Sequence, residues 1–464
     1  MGAHEYRARL RQGAGVPGLT ITAVPASDLA RGARAVLDAN RRGDWTCPSA
    51  TLYPHQWLWD SCFVAVGLAR YDPPRAAGEL RALFRGQWAD GMLPHMVFAD
   101  DVEDVGSARL WQSHDNPLAP RDVATSCITQ PPVPAVALAR VADALPAAER
   151  DTLLRELVPK VIAYHEWLYR ERDPDETGLV TLIHPWECGL DTTPPWMLAL
   201  SQMPAPWWAR AATTLHLAHL VRVFRRDTKY VPTVQRPTDA EGLRMLVLAR
   251  LGRRYGFDLR KMPRDRAVLI EDLAFNSILA AANRVLVRLA ADLGTPVPAA
   301  LAGRFERTEA AFEVLWDDER GQYFSRDAVT GSLLRLPTVA TFLPLFGGVV
   351  PPDRAARLVA NLREPSGFWP RYPVPTVPTD APGFHEEAYW KGPTWVNTNW
   401  FLVEALDADG HADLAHELTE RTLALVGESG FFEYFSPFTG RGYGAREFSW
   451  TAALAIDLLA RRGG

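Results

Sequence analysis

Apolar residues recur at helical spacing from end to end of this chain, and strand-like alternation is rare. The pattern predicts helices over 28–41, 56–70, 75–88, 131–145, 147–171, 208–230, 238–257, 268–293, 298–317, 353–364, 394–407, 411–428 and 447–462. In the eighth of these, Leu273, Ile278, Ala281, Val285 and Leu289 fall near one stripe, with Asn283 and Arg288 off it. Three long segments, 91–130, 181–207 and 366–393, interrupt the pattern and are rich in Pro, Gly and aromatics. The last holds Pro370, Pro373, Pro375, Pro378 and Pro382. Proline fixes φ and removes a donor, so these read as shaped loops, neither helices nor floppy linkers.

No Gly/Ser-rich or highly charged stretch marks a boundary, so the 464 residues read as a single domain, 1–464, with 1–25 as an N-terminal extension. A dozen or so helices with long shaped loops fits a closed ring of helical hairpins. The expected class is all-α, an (α/α)6 barrel whose loops gather at one end. An α-solenoid or an irregular bundle has the same helix count.

Composition removes other classes. With 47% apolar and 10% aromatic residues the chain is not disordered. A net charge of −5 and no basic block argue against nucleic acid as a partner. No window approaches 18 uninterrupted apolar residues, so no membrane span is expected, and the first 15 residues lack the apolar core of a secretory signal. Cys47, Cys62, Cys127 and Cys188 lie far apart without CxxC, which argues against structural zinc and leaves two disulfides open. The expectation is a cytoplasmic protein with no cofactor and no metal. Its partner is a small molecule, and a homo-oligomer is left open.

The 16 Trp exceed what a core needs. Trp57, Trp59, Trp88, Trp186, Trp196, Trp390, Trp395 and Trp400 lie in chemistry-bearing segments and Trp111 and Trp369 in long loops, while the other six are read as packing. LYPHQWLWDSCF carries Tyr53, His55, Gln56, Trp57, Trp59 and Asp60. An indole offers a flat apolar face to sugar C–H groups, and a carboxylate accepts from two hydroxyls. The same segment fits a helix start with core Trp and a capping Asp. GQWADGMLPHMVF carries Trp88, Asp90, Pro94 and His95, the last best read as a loop-fixing hydrogen bonder. Gln130 precedes Pro131 and Pro132 and can both donate to and accept from vicinal hydroxyls.

In IHPWECGLDTTPPW, Glu187 and Asp191 lie between Trp186 and Trp196. Desolvation by indoles raises a carboxyl pKa and keeps the acid protonated near neutrality. Equally, Asp191 fits a cap for a following helix and Glu187 a salt bridge. GFHEEAYWKGPTWVNTNWF packs His385, Glu386, Glu387, Tyr389, Trp390, Lys391, Trp395, Asn397, Asn399 and Trp400 together, without HExxH spacing for a metal. In the last segment Glu433 stands between Phe432 and Tyr434.

Two partly buried carboxylates distant in sequence, among Trp, Gln and Asn, fit glycoside hydrolysis: one protonates the leaving oxygen and the other takes a proton from water. The chain has no GxSxG and no P-loop, and Gly440, Gly442 and Gly444 lack a strand-to-helix phosphate context. Cys188 has no paired His and reads as a small buried residue.

Taken in order, YxxxWxWD at 53–60, QWxxGMLPHMVF, QPP, WExGxD, YWKGPTWxNxNW and EYFxPxTGxGxGxxxFSWTAA resemble glycoside hydrolase family 63, in particular the bacterial mannosylglycerate and glucosylglycerate hydrolases, over roughly 45–460. Trehalases of family 37 share a fainter version. The resemblance implies an (α/α)6 barrel and an inverting hydrolase that cleaves a hexosyl-glycerate to hexose and glycerate. It places the general acid at Asp191 and the general base at Glu433. It gives sugar-pocket positions to Tyr53, Trp57, Trp59, Asp60, Gln130, Trp390 and Trp395, and a glycerate contact to Tyr389. It also implies an Arg for the glycerate carboxylate, with Arg225, Arg226 beside Tyr230, or Arg236 as candidates. Inversion implies carboxyls about 6.5–9.5 Å apart. Cys188 stands where Ser is common in the family. The rival readings are an α-glucosidase or trehalase-like hydrolase of a neutral disaccharide, and a non-catalytic sugar-binding barrel.

Overall fold

Helix α2, residues 58–69 (α1 is Ala26–Ala39), is buried at every one of its 12 positions. A helix apolar all round must be walled by other elements on all sides. Its neighbours supply that wall in a computed structural model that describes residues 25–102, 109–204, 206 and 227–462. The further helices are α3 (Pro73–Phe84), α4 (Pro134–Ala144), α5 (Ala147–Arg172), α6 (Pro194–Gln202), α7 (Asp239–Arg254), α8 (Leu273–Asp292), α9 (Ala299–Ala311), α10 (Leu343–Gly347), α11 (Pro352–Leu362), α12 (Val396–Ala408), α13 (Ala412–Ser429) and α14 (Ser449–Arg462).

Among the described residues, α2 packs on α4, α4 on α8, α8 on α10, α10 on α12, α12 on α14, and α14 returns to α2. Outside this closed sequence, α3 covers α2, α5 covers α4, α9 covers α8, α13 covers α12, and α1 covers α14. The outer helices carry one apolar face each. In α1 the buried residues are Leu29, Ala33, Val36 and Leu37, and in α11 they are Ala355, Leu358 and Leu362. Helix α8 is long and apolar enough to cross a membrane by length and composition, but most of it is buried inside the protein.

Starts are fixed by caps. Asp72 accepts from Arg75 N at the start of α3, Asp272 accepts from Phe275 N at α8, and Thr238 with Glu241 forms a capping box on α7. Twelve of the thirteen helices expected from periodicity have counterparts here. The other, 208–230, lies outside the described residues except for the turn Asp227–Tyr230. The N-terminal extension also lies outside them, apart from Pro25.

Two elements correct the sequence reading. Segment 181–207 is not a loop throughout, since it holds the one-turn helix Pro185–Cys188 and α6. Both begin with proline at a first helical position, where the missing N–H costs nothing. Helix α10 was not foreseen because its five residues, preceded by the 3-10 turn Val339–Phe342, are too few to show a period. It nevertheless bridges α8 and α12.

Short antiparallel pairs tie the loops down. Gln56–Trp57 pairs with Met96–Val97, and Tyr434–Phe435 with Gly442–Tyr443. Thr394 joins the second pair through a bridge to Phe435. All four cysteines are buried and free.

Candidate active site

The starts of several ring helices converge. Trp57, Trp59 and Asp60 open α2, Gln130 precedes α4, Trp395 is the residue before α12, and Trp450 opens α14. Trp59 N donates to Gln130 Oε1 at 3.4 Å. The Trp59 ring lies 6.3 Å from Trp390 and edge-on to Trp450 at 5.4 Å. Trp390 and Trp395 stack at 3.6 Å, and Tyr434 covers the other face of Trp395 at 4.5 Å. Both faces of Trp395 are thus occupied by neighbouring rings. Its Nε1, like those of Trp57 and Trp390, is a buried donor with no partner among the described residues.

Asp191 is half-buried and follows Gly189, whose φ of +76° is left-handed. A Cβ at Gly189 would sit 2.6 Å from the Trp59 ring, so only glycine lets this loop close on that indole. Burial pushes the Asp191 carboxyl up to about 8, with the nearby Glu433 charge adding to the rise and Arg236 opposing it. Asp60 is buried and pushed well above the ordinary range by the same desolvation, helped by Glu433 and Asp191. Asp191 does not cap α6, whose N-terminal flank is Thr193. Trp390 N donates to Thr192 Oγ1 at 3.3 Å, which ties the Asp191 loop to the aromatic stack.

Glu433 is 1% exposed and holds four donors. Its Oε1 accepts from Tyr53 Oη at 2.9 Å and Arg236 Nη1 at 3.3 Å. Its Oε2 accepts from Arg236 Nη2 at 2.6 Å and Ala445 N at 2.8 Å. Arg236 Nη1 also donates to Tyr53 Oη at 2.6 Å. The guanidinium lies over Tyr389 at 5.0 Å and Tyr53 at 5.6 Å. Tyr389 has a left-handed φ of +39°, a strained conformation for a non-glycine residue. Gly444, with φ +72°, keeps the carboxylate in place, because a Cβ there would stand 2.3 Å from Glu433 Oε2. Of the alternating glycines, Gly444 makes room for the carboxylate, while Gly440 and Gly442 make room for the Tyr372 and Phe432 rings.

The structure therefore gathers Tyr53, Trp57, Trp59, Asp60, Gln130, Asp191, Tyr389, Trp390, Trp395 and Glu433 at one end of the ring. His95 is fixed by Ser126 through Nδ1, stands edge-on to Trp57 at 5.2 Å, and is lowered to about 3 by burial, which keeps it neutral. Glu187 is a structural ion: its Oε1 accepts from Arg172 Nη2 at 2.6 Å and its Oε2 from Ile183 N at 2.8 Å. The Cys188 thiol donates to Pro185 O at 3.0 Å and is pushed well up by burial, so it is inert. Of the three candidate arginines, Arg225 and Arg226 lie outside the described residues, and Arg236 stands on Glu433. The Arg236–Glu433 pair was invisible in sequence, where 197 residues separate the partners. Gly444 and Tyr434 were also unassigned, although the glycine run beside Glu433 was a usable signal.

A carboxyl held protonated near neutrality, a second buried carboxylate and a wall of indoles form the equipment for splitting a glycosidic bond, and the protein is a glycoside hydrolase. Residues 53–451 match the "Mannosylglycerate hydrolase MGH1-like glycoside hydrolase domain", and the chain belongs to that family, within glycoside hydrolase family 63. The mannosylglycerate hydrolase of Thermus thermophilus is 42% identical over 424 residues, covering 91% of this chain and 98% of that protein. A glucosylglycerate hydrolase of Mycolicibacterium hassiacum is 32% identical over 454 residues, covering 93% and 98%. The crystal structure of a family 63 mannosylglycerate hydrolase from Thermus thermophilus with Tris and D-glycerate superposes with a TM-score of 0.83 at 39% identity, covering 92% of this chain and 99% of that one.

Proposed function

We propose that this protein is an inverting hydrolase of an α-hexosyl-glycerate, releasing hexose and glycerate. The observation that carries the reading is Asp191, half-buried and held at about 8, in electrostatic reach of the buried Glu433. Asp191 donates its proton to the bridging oxygen, and Glu433 takes one from the water that attacks the opposite face. Trp57, Trp59 and Trp390 bound the sugar, Trp395 meets it only by its edge because both its faces are stacked, and Asp60, Gln130 and Tyr53 meet its hydroxyls with Tyr389 on the glycerate side. The relatives' names supply the acidic aglycone, with mannose and glucose both represented.

The closed contact sequence of six inner helices, each with an outer helix against it or beside its flanking turn, supports an (α/α)6 barrel in a single domain. Four free buried thiols suit a reducing cytoplasm. The test is a panel of mannosylglycerate, glucosylglycerate, trehalose, kojibiose and nigerose, with the released anomer read by NMR. Release of β-hexose from a hexosyl-glycerate is expected. Turnover confined to the neutral disaccharides, or release of the α-anomer, overturns the reading.

A further inference from the structure

The four donors on Glu433 have a chemical consequence. A carboxylate offers about four lone-pair sites, and here Tyr53 Oη, Arg236 Nη1, Arg236 Nη2 and Ala445 N take all of them. A base in that state has no lone pair to aim at water, so at least one donor has to leave before it can act. Ala445 donates from the backbone of a paired turn, since Glu433 N also binds Ala445 O at 2.9 Å. Tyr53 is held by a bridge to Ser49 and by edge contacts to Trp57 and Phe448. Arg236 is different. It sits outside the ring between the turn Thr233–Gln235 and α7, on a long side chain whose Nε has no partner among the described residues.

We propose that Arg236 caps Glu433 in the resting enzyme and that an anionic aglycone uncaps it, making Arg236 the residue that couples the charge of the leaving group to activation of the base. The proposal rests on the assignment of Glu433 as the base. Arg236 is 4% exposed, and a buried cation cannot give up its counter-ion without another anion to replace it. The carboxylate of an acidic aglycone is such a replacement, and its two oxygens match the guanidinium fork. The Tyr53 and Tyr389 rings flank the guanidinium and support its charge as it turns. A neutral aglycone offers no exchange, so Glu433 stays capped. Selection for an acidic leaving group then acts on kcat as well as on binding.

An α-hexosyl fluoride separates these effects, because fluoride leaves without a proton donor. The C–F bond breaks, the oxygen of water bonds to C1, and the water proton passes to Glu433. The wild-type enzyme is assayed on α-mannosyl and α-glucosyl fluoride with increasing free D-glycerate, and with glycerol as the neutral control. Saturable acceleration by D-glycerate on the order of tenfold, within the usual range for coupled sites, is expected, with none from glycerol. Arg236→Met should hydrolyse the fluoride faster than wild type without glycerate, lose the response to it, and show a raised KM for the hexosyl-glycerate, whose carboxylate has lost its partner. Arg236→Lys, with a charge but no fork, should respond weakly. Glycerate that only inhibits wild-type fluoride hydrolysis, or leaves it unchanged, overturns the proposal, and this result needs no variant to fold. If hexosyl-glycerate is cleaved and Glu433→Gln abolishes that cleavage, the functional assignment survives even where glycerate fails to activate.

Discussion

Asp191 gives the sharpest quantitative prediction. An ordinary Asp, with a pKa of about 3.9, carries its proton in only about one molecule in 1,000 at pH 7. At about 8, roughly nine in ten Asp191 carboxyls are protonated at that pH. Burial therefore raises the protonated population of this carboxyl by about three orders of magnitude. The perturbation is pH itself. A raised pKa in an acid that must be protonated means activity present below it and lost as pH rises through it. Between pH 7 and 9 the protonated fraction falls from about 0.9 to about 0.09, so kcat/KM on the hexosyl-glycerate should fall about tenfold over that interval and approach unit slope only at higher pH. The assay is stopped-time detection of hexose from pH 5 to 10, with an α-hexosyl fluoride at fixed D-glycerate as the companion substrate. The fluoride needs no acid and should lack the basic limb, and Asp191→Asn should keep fluoride hydrolysis while losing most turnover of the glycerate. A basic limb equally present on the fluoride, or surviving in Asp191→Asn, refutes the reasoning.

Other substitutions probe the same architecture. Glu433→Gln should lower kcat by about 10²–10⁴ on both substrates, and calorimetry should also show a loss of stability because Arg236 is left buried without its counter-ion. Gly444→Ala places a methyl on Glu433 Oε2 in a left-handed backbone, so kcat should fall with little change in KM, as read from initial rates. Glu187→Ala strands the 1%-exposed Arg172 side chain, and denaturant titration should show a loss of about 3–5 kcal/mol.

The helices were legible because an inner helix and an outer helix both leave a period of 3.6 in the sequence, the first as an unbroken apolar run such as Leu58–Ala69 and the second as a stripe such as Leu29, Ala33, Val36 and Leu37. Helix α10 left no such trace, since five residues are less than two turns, and its place is set by α8 and α12 on either side. In the site, residues clustered in sequence were easy to find: Trp57, Trp59 and Asp60 share the start of one helix, and Tyr389, Trp390 and Trp395 approach the start of another. Their division of labour was not. Trp395 is an indole like Trp57, yet its two faces are already stacked, and only a third dimension shows that. Glu187 and Asp191 look interchangeable in sequence, and the buried Arg172 ion pair is what marks Glu187 as the structural carboxylate.

The closure of the ring by α14 carries a consequence for how the chain is made. Helix α14 packs on both α1 and α2, and Asn40 and Cys47 near the start of the described chain bond Ser449 near its end. During synthesis, α2 emerges with apolar residues all round it, and α14, one of the helices that cover it, follows only after most of the other helices. The pairing that completes the ring spans about 400 positions, the kind of high sequence separation that slows folding. The nascent chain carries an unsealed apolar wall until α14 leaves the ribosome, and exposed apolar surface of that kind is what makes a folding intermediate prone to aggregate.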